Sequence, residues 1–285
     1  YGSHAEELKS ARAAAVGGAN FDPNDTALIL VPGILIAMNM VVTPHGWATR
    51  CGALAMVAVM LRVLQLTDSR GGFLALLVGM SAYAVLRWGR RGVVVALCGV
   101  PLLAAWIATQ RMTDLGRAVA EDTGQIRIQL WMEAIALFRQ NPLIGVGPHA
   151  FFEHVGRAPH NSFLQPYAEL GFLGGTLFLG AFCCGLAAMI RLARERAYDV
   201  DPGPSGRVNG RPDPTGCLVG ATLAAYATGA LALTHFWGTE TYVILGLPTI
   251  VARLRGAERT IPASTLLMRV GAASVAFVLV SHIVG

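Results

Sequence analysis

The sequence predicts an all-α, polytopic integral membrane protein, and its composition and its long apolar runs support this prediction. Of the 285 residues, 54% are hydrophobic and only 14% are charged, whereas a soluble domain carries about 25% charged residues. Several apolar runs approach the ~20 residues that a helix needs to cross the hydrocarbon of a bilayer. We therefore expect a single membrane domain, residues 1–285, with about seven or eight transmembrane helices.

The candidate spans follow one another along the chain, and the one beginning at Tyr242 is short enough to be tilted or re-entrant. They are Asp25–Val42, Trp47–Thr67, Gly71–Trp88, Gly92–Gln110, Asn161–Ile190, Gly216–Thr234, Tyr242–Arg253 and Ala263–Ile283. A long polar connection occupies residues 111–160. Residues 191–215 form a second connection, rich in proline and glycine, with the composition of a disordered linker.

Arginine is concentrated in alternate connections, which predicts the orientation of the chain. Residues 87–91, 191–211 and 253–259 are rich in arginine, so the positive-inside rule places these connections in the cytoplasm. The connection 111–160 also contains five arginines, but loops of that length translocate largely regardless of charge. We expect a multi-pass protein whose long loop faces outward, which in a bacterium means the periplasm or the outer surface.

The charge and the cysteines exclude two other classes of protein. A net charge of +5 with scattered arginines does not form the basic stripe of a nucleic-acid-binding protein. The five cysteines lie in or beside apolar runs, where cysteine acts as a small hydrophobic residue. Because no group of residues has the spacing of metal ligands, we expect neither a metal site nor a cofactor.

The segment Gln125–Gln140 has the periodicity of an amphipathic helix. Such a helix is expected to lie along the membrane interface with its apolar side down. Arg127 projects from that apolar face, because it precedes Leu130 by three residues and Ala134 by seven. Two interpretations stay open: the side chain extends to water, or it points into a cavity and binds an anion.

Two ionisable residues lie near the start of the span that follows the long loop, one just before the span and one within it. His160 lies at its mouth beside Asn161, a candidate N-cap. A neutral imidazole there can accept a proton from a hydroxyl, or it can be an ordinary interfacial histidine. Glu169 lies about 14 Å further along the axis, on nearly the opposite face. We expect it to form structural hydrogen bonds, with an arginine of a neighbouring helix as a candidate partner.

Two further arginines lie near the turn between the second and third spans. Arg70 is in this turn, where it could bind an anion or simply pair with Asp68 at the level of the headgroups. Arg62 is a charge within an apolar run two turns earlier. It is expected to face the interior of the protein.

Several short motifs, in this order and spacing, resemble those of the O-antigen ligase superfamily. This superfamily includes O-antigen ligases, Wzy-type O-antigen polymerases and bacterial protein O-oligosaccharyltransferases. The motifs are Asn20–Ala27, the Ser-Arg-Gly-Gly of 69–72, Arg127 with Trp131, the Asn-Pro-Leu-Ile-Gly-Val-Gly of 141–147, His160-Asn161, and the Glu-Leu-Gly-Phe-Leu-Gly-Gly of 169–175.

The resemblance implies a metal-independent glycosyltransferase that takes its glycan from a polyprenyl (undecaprenyl) pyrophosphate and transfers it to an acceptor hydroxyl. It implies that Arg70 and Arg127 bind the pyrophosphate and that His160 is the general base, with Arg62, Asn161 and Glu169 in supporting positions. The acceptor stays open between another glycan, lipid A–core and a protein.

Two expectations qualify this resemblance. Members of the superfamily have more spans than this chain, so we expect upstream helices to be lacking. A different class of protein also fits the arginines, namely a transporter or flippase for an anionic lipid-linked glycan, with Arg62, Arg70 and Arg127 along its path.

Overall fold

The computed structural model describes residues 23–111, 123–194 and 212–255, and every regular element of more than one residue within them is an α-helix. The all-α prediction is confirmed for this part of the chain. In chain order the helices are α1 (Pro23–Val42), α2 (Trp47–Thr67), α3 (Arg70–Trp88), α4 (Arg90–Arg111), α5 (Thr123–Gln140), α6 (Ala150–Val155), α7 (Leu164–Arg194), α8 (Pro214–Ala230) and α9 (Thr239–Leu254).

Four of these helices, α1, α2, α3 and α7, are long and apolar enough to cross a membrane. The prediction of a membrane protein is therefore confirmed, whereas the count of seven or eight spans stays a prediction. Helices α8 and α9 have 17 and 16 residues, fewer than the ~20 of a typical span. The expected span at residues 263–283 lies outside the described residues.

The chain forms two compact units, one of Tyr1–Val100 with Ile190–Gly229 and the other of Pro101–Met189 with Ala230–Gly285. In the first unit α1 packs against both α2 and α3. Helix α2 buries few of its residues and exposes large apolar side chains such as Leu54 and Val59. An apolar face of this kind is what a lipid-facing helix presents.

The turn between α2 and α3 shows how the Ser-Arg-Gly-Gly motif builds the first unit. The Ser69 hydroxyl accepts a hydrogen bond from the Gly72 amide at 3.1 Å, which caps the start of α3. A β-carbon at position 72 would overlap the side chain of Ala27 in α1. The fold thus requires Ser69 and Gly72, whereas nothing in the described contacts requires Arg70.

The core of the second unit joins α5, α6 and α7 through Ala134, Leu137, Phe151 and Ala168. The apolar face of α5 is therefore covered by protein, and the expectation that this face lies on the membrane interface is wrong. The periodicity of one helix shows that a face will be buried, but it does not show against what.

Helix α7 is broken at Gly171, whose φ of 66° and ψ of −161° lie outside the helical region. The loop after α5 supplies hydrogen bonds for the backbone groups that the break leaves without helical partners. The Val146 and Gly147 amides donate to the carbonyls of Ala168 and Glu169 at 3.0 and 2.9 Å, and the Phe172 amide donates to Pro142 at 2.7 Å. We call residues 142–147 the break-filling loop.

Two glycines make this close approach possible. Gly145 and Gly171 both have positive φ, and a β-carbon at either position would overlap the backbone of the opposite segment. Gly171 therefore admits a loop into the path of its own helix.

Candidate functional site

Arg127 is half-buried on the apolar face of α5, in line with the buried Leu130 and Ala134. Its Nε is buried, and no residue in the described ranges accepts a hydrogen bond from it. The side chain also lies about one turn from the N-terminus of α5, where the helix dipole favours an anion over a cation. This combination is suited to binding an anionic ligand.

Arg139, on the same helix, was not singled out from the sequence. Its Nε is likewise buried, and no acceptor for it lies among the residues described. However, it lies in the last turn of α5, where the helix dipole favours a cation. Twelve residues of helix separate the two arginines by about 18 Å, so they are too far apart for both to be centred on one pyrophosphate.

His160 adopts a left-handed backbone conformation, with φ of 48°. For a residue other than glycine this conformation costs about 1–2 kcal/mol. The His160 amide donates a hydrogen bond of 2.9 Å to the Thr234 hydroxyl, which helps to hold the conformation. Strain of this kind is frequent at functional positions.

Asn161 caps α7, as the sequence predicts. Its side-chain oxygen accepts hydrogen bonds from the amides of Phe163 and Leu164 at 2.9 and 3.0 Å. The next residue, Ser162, is fully buried; it donates to the Leu233 carbonyl at 2.6 Å and accepts from the His235 amide at 2.8 Å. His160 is therefore held between a capped helix and the segment that follows α8.

Glu169 is 1% exposed and accepts three hydrogen bonds. Gln165 Nε2 donates to Oε1 at 3.1 Å, while Trp237 Nε1 and the His149 amide donate to Oε2 at 2.7 and 3.2 Å. The expectation of a structural hydrogen-bonding role agrees with this geometry. None of these three donors is an arginine, so the candidate arginine partner stays a prediction.

The two arginines near the α2–α3 turn are both exposed. Arg70 is exposed in the first turn of α3. Arg62 is also exposed and donates to Gln65 of its own helix at 3.4 Å. Its expected inward orientation is wrong, because α2 buries only Ala53, Leu64 and Thr67. Helical spacing directs position 62 away from these three residues.

The segment between α8 and α9 contains polar residues that the sequence interpretation passed over. His235 Nδ1 pairs with the Glu240 carboxylate, and the Trp237 ring stacks on His149. The run Thr-His-Phe-Trp-Gly-Thr-Glu at 234–240 between two apolar helices was the available signal. Within the three described ranges, no group of acidic, histidine and cysteine side chains is arranged to hold a metal ion.

Residues 55–179 match the family model described as O-Antigen ligase (Wzy_C). This part of the chain is therefore similar to the O-antigen ligase family. The matched residues include Arg70, Arg127, His160 and both sides of the break in α7. No curated protein and no solved structure matches the chain. This similarity supports an O-antigen ligase-like glycosyltransferase activity that acts on glycan and lipid-linked substrates in a membrane.

Proposed function

We propose that this protein transfers a glycan from a polyprenyl pyrophosphate to an acceptor hydroxyl. The observation that supports this most strongly is Arg127, a guanidinium with a buried nitrogen lacking a partner among the described residues, within an O-antigen ligase domain. A buried polar nitrogen without an acceptor costs about 1–3 kcal/mol. A bound pyrophosphate removes this cost and gains charge-assisted hydrogen bonds.

Arg127 stabilises the leaving group in this mechanism. As the bond between the anomeric carbon and the phosphate oxygen breaks, its electron pair remains on the pyrophosphate, whose negative charge increases. A guanidinium binds two phosphate oxygens at once, and it does so more strongly in surroundings shielded from water. Arg70, which is exposed in the first turn of α3, is the second pyrophosphate-binding residue in this proposal, as the family resemblance implies.

His160 is the general base. Its neutral imidazole accepts the proton of the acceptor hydroxyl while the oxygen forms the new bond to the anomeric carbon. Attack opposite the leaving pyrophosphate inverts the configuration at that carbon. Arginine stabilises the negative charge of the leaving pyrophosphate, and histidine takes the proton of the acceptor hydroxyl. The proposal therefore needs no metal ion.

The bilayer determines where the substrates of this reaction lie. The polyprenyl tail of the donor lies in the hydrocarbon, and the reaction takes place at the periplasmic face of the bacterial inner membrane. The structure offers less support for a transporter. The break in α7, the feature closest to a discontinuous transporter helix, is occupied by the chain's own break-filling loop.

Replacing His160 with glycine tests the role of the imidazole without straining the fold. Glycine adopts a positive φ at no steric cost, so His160→Gly introduces no backbone strain, and size-exclusion chromatography in detergent checks that the variant is folded. Glycan transfer from a polyprenyl-pyrophosphate donor in proteoliposomes should fall by about 10²–10⁴-fold.

The matched control is His154→Gly, because His154 is an exposed histidine that bonds only to a carbonyl of its own short helix, at Ala150. This variant should retain transfer. Wild-type transfer by a folded His160→Gly protein would contradict the general-base role.

A further inference from the structure

Trp237 and His149 form an aromatic pair at the surface of the second unit. Their rings are nearly parallel, with centroids 4.3 Å apart and planes inclined by 24°. His149 is exposed, and Trp237 is 37% exposed. Both residues are therefore partly exposed to the surroundings, although their rings pack against each other.

A single buried carboxylate positions both members of this pair. Glu169 Oε2 accepts from the indole Nε1 of Trp237 at 2.7 Å and from the backbone amide of His149 at 3.2 Å. A tryptophan that only anchors a protein in the membrane interface directs its polar edge towards water and headgroups. The polar edge of Trp237 instead points inward, to a group that is 1% exposed.

The pair also lies close to His160. The His160 amide bonds to the Thr234 hydroxyl, and Trp237 follows Thr234 by three residues, at most about 11 Å along the chain. Hydrogen bonds hold this short segment: Thr241 donates to the His235 carbonyl at 2.6 Å, and the Gly238 amide donates to it at 3.0 Å. The aromatic pair and the proposed base are therefore attached to the same short segment of the second unit.

We propose that His149 and Trp237 form a platform on which a pyranose ring of the glycan substrate stacks. The C–H face of a pyranose carries partial positive charge, which the negative face of an aromatic ring attracts, and the contact also removes apolar surface from water. This proposal rests on the proposed function, because that function supplies a carbohydrate near His160. It adds the residues that bind the sugar itself rather than its pyrophosphate.

Glu169 is a positioning residue in this arrangement, and an amide can replace its carboxylate. Gln165 Oε1 is buried without a hydrogen-bond partner. In Glu169→Gln, rotation of the Gln165 amide turns this oxygen towards the new NH₂ group, while the new carbonyl continues to accept from Trp237. Glu169→Gln is therefore expected to keep the indole in place, whereas Glu169→Leu releases it.

The experiment is fluorine NMR on the full chain in lipid nanodiscs, with 5-fluorotryptophan at its five tryptophans. Trp237→Phe identifies the Trp237 resonance. The probes are methyl glucoside, methyl galactoside and methyl N-acetylglucosaminide, and glucitol is the control, since it has hydroxyls but no ring face. We expect at least one glycoside to shift the Trp237 resonance and glucitol to leave it unchanged. The shift should persist in Glu169→Gln and disappear in Glu169→Leu.

Two results would overturn the platform. One is the absence of any glycoside-specific shift at Trp237. The other is broadening of Trp237 by a spin-labelled lipid chain as strong as that of Trp47, which is 80% exposed, because Trp237 would then be a lipid anchor. In transfer assays, Trp237→Leu should raise the KM for the glycan substrate roughly tenfold and leave kcat nearly unchanged.

The two proposals can fail separately, because the titration contains no donor and no transfer step. A shift at Trp237 together with normal transfer by His160→Gly would overturn the proposed catalysis and retain the platform. Loss of transfer in His160→Gly without a shift at Trp237 would overturn the platform alone.

Discussion

Two charged groups of the second unit, Arg127 and Glu169, each have buried polar atoms, yet their surroundings differ. Glu169 has donors from three different segments for its two oxygens. Arg127 has a buried nitrogen with no acceptor in the described part of the chain. Within the described residues, both oxygens of the Glu169 carboxylate thus have hydrogen-bond donors, whereas Nε of the Arg127 guanidinium lacks an acceptor. A group of the first kind maintains structure, and a group of the second kind is suited to bind a ligand.

The largest expected effect comes from the break beside Glu169. Gly171→Ala places a β-carbon on the backbone of Leu143 and forces alanine to a positive φ. We expect little folded protein, measured as the monodisperse fraction in size-exclusion chromatography in detergent. Gly52→Ala is the control, because a β-carbon there meets no atom within 4 Å. A well-folded Gly171→Ala protein would show that the break is dispensable and that Glu169 does not depend on it.

Glu169→Leu is expected to have the next largest effect. It removes the acceptor of the Gln165, Trp237 and His149 donors, and the unfolding free energy should fall by about 3 kcal/mol. Thermal unfolding in detergent measures the change. Glu133→Leu, at an exposed position of α5, should change stability by less than about 0.5 kcal/mol. If Glu169→Leu and Glu133→Leu were equally stable, the three hydrogen bonds of Glu169 would not contribute to the stability of the fold.

Arg127→Met should have the smallest effect on stability and the opposite sign. It removes a buried nitrogen without an acceptor, so we expect stability to rise by about 1 kcal/mol while transfer is lost. Arg127→Lys should also lose most transfer, because a lysine keeps the charge but not the two-pronged guanidinium.

Arg139→Met is the matched control for Arg127→Met. It also removes an orphaned nitrogen from α5, and it should retain transfer. Destabilisation by Arg127→Met would mean that the fold, rather than a ligand, uses the guanidinium.

The parts of this structure that depend on local spacing were predictable from the sequence. The apolar runs gave α1, α2, α3 and α7 within a few residues, and the position of Asn161 before its helix predicted the cap. Helical spacing also placed Arg127 on the buried face of α5. Each of these features is decided by residues within a few turns of one another.

The features that the sequence did not reveal depend on contacts between distant segments. Glu169 receives its donors from positions 149 and 237 as well as from its own helix. The inward orientation expected of Arg62 failed for the same reason, since the few contacts of α2 with its neighbours decide which side of this helix is buried. Hydrophobic periodicity contains no information about which segment of the chain will supply a partner.

The break in α7 has a consequence for the order of assembly. A transmembrane helix with free carbonyls in hydrocarbon is unstable, because each unsatisfied backbone group there costs several kcal/mol. The Ala168 and Glu169 carbonyls accept hydrogen bonds from amides of the break-filling loop, which precedes α7 in the chain. We therefore expect α7 to open at Gly171 when this loop docks, and the Glu169 network and the His149–Trp237 pair to form with that step.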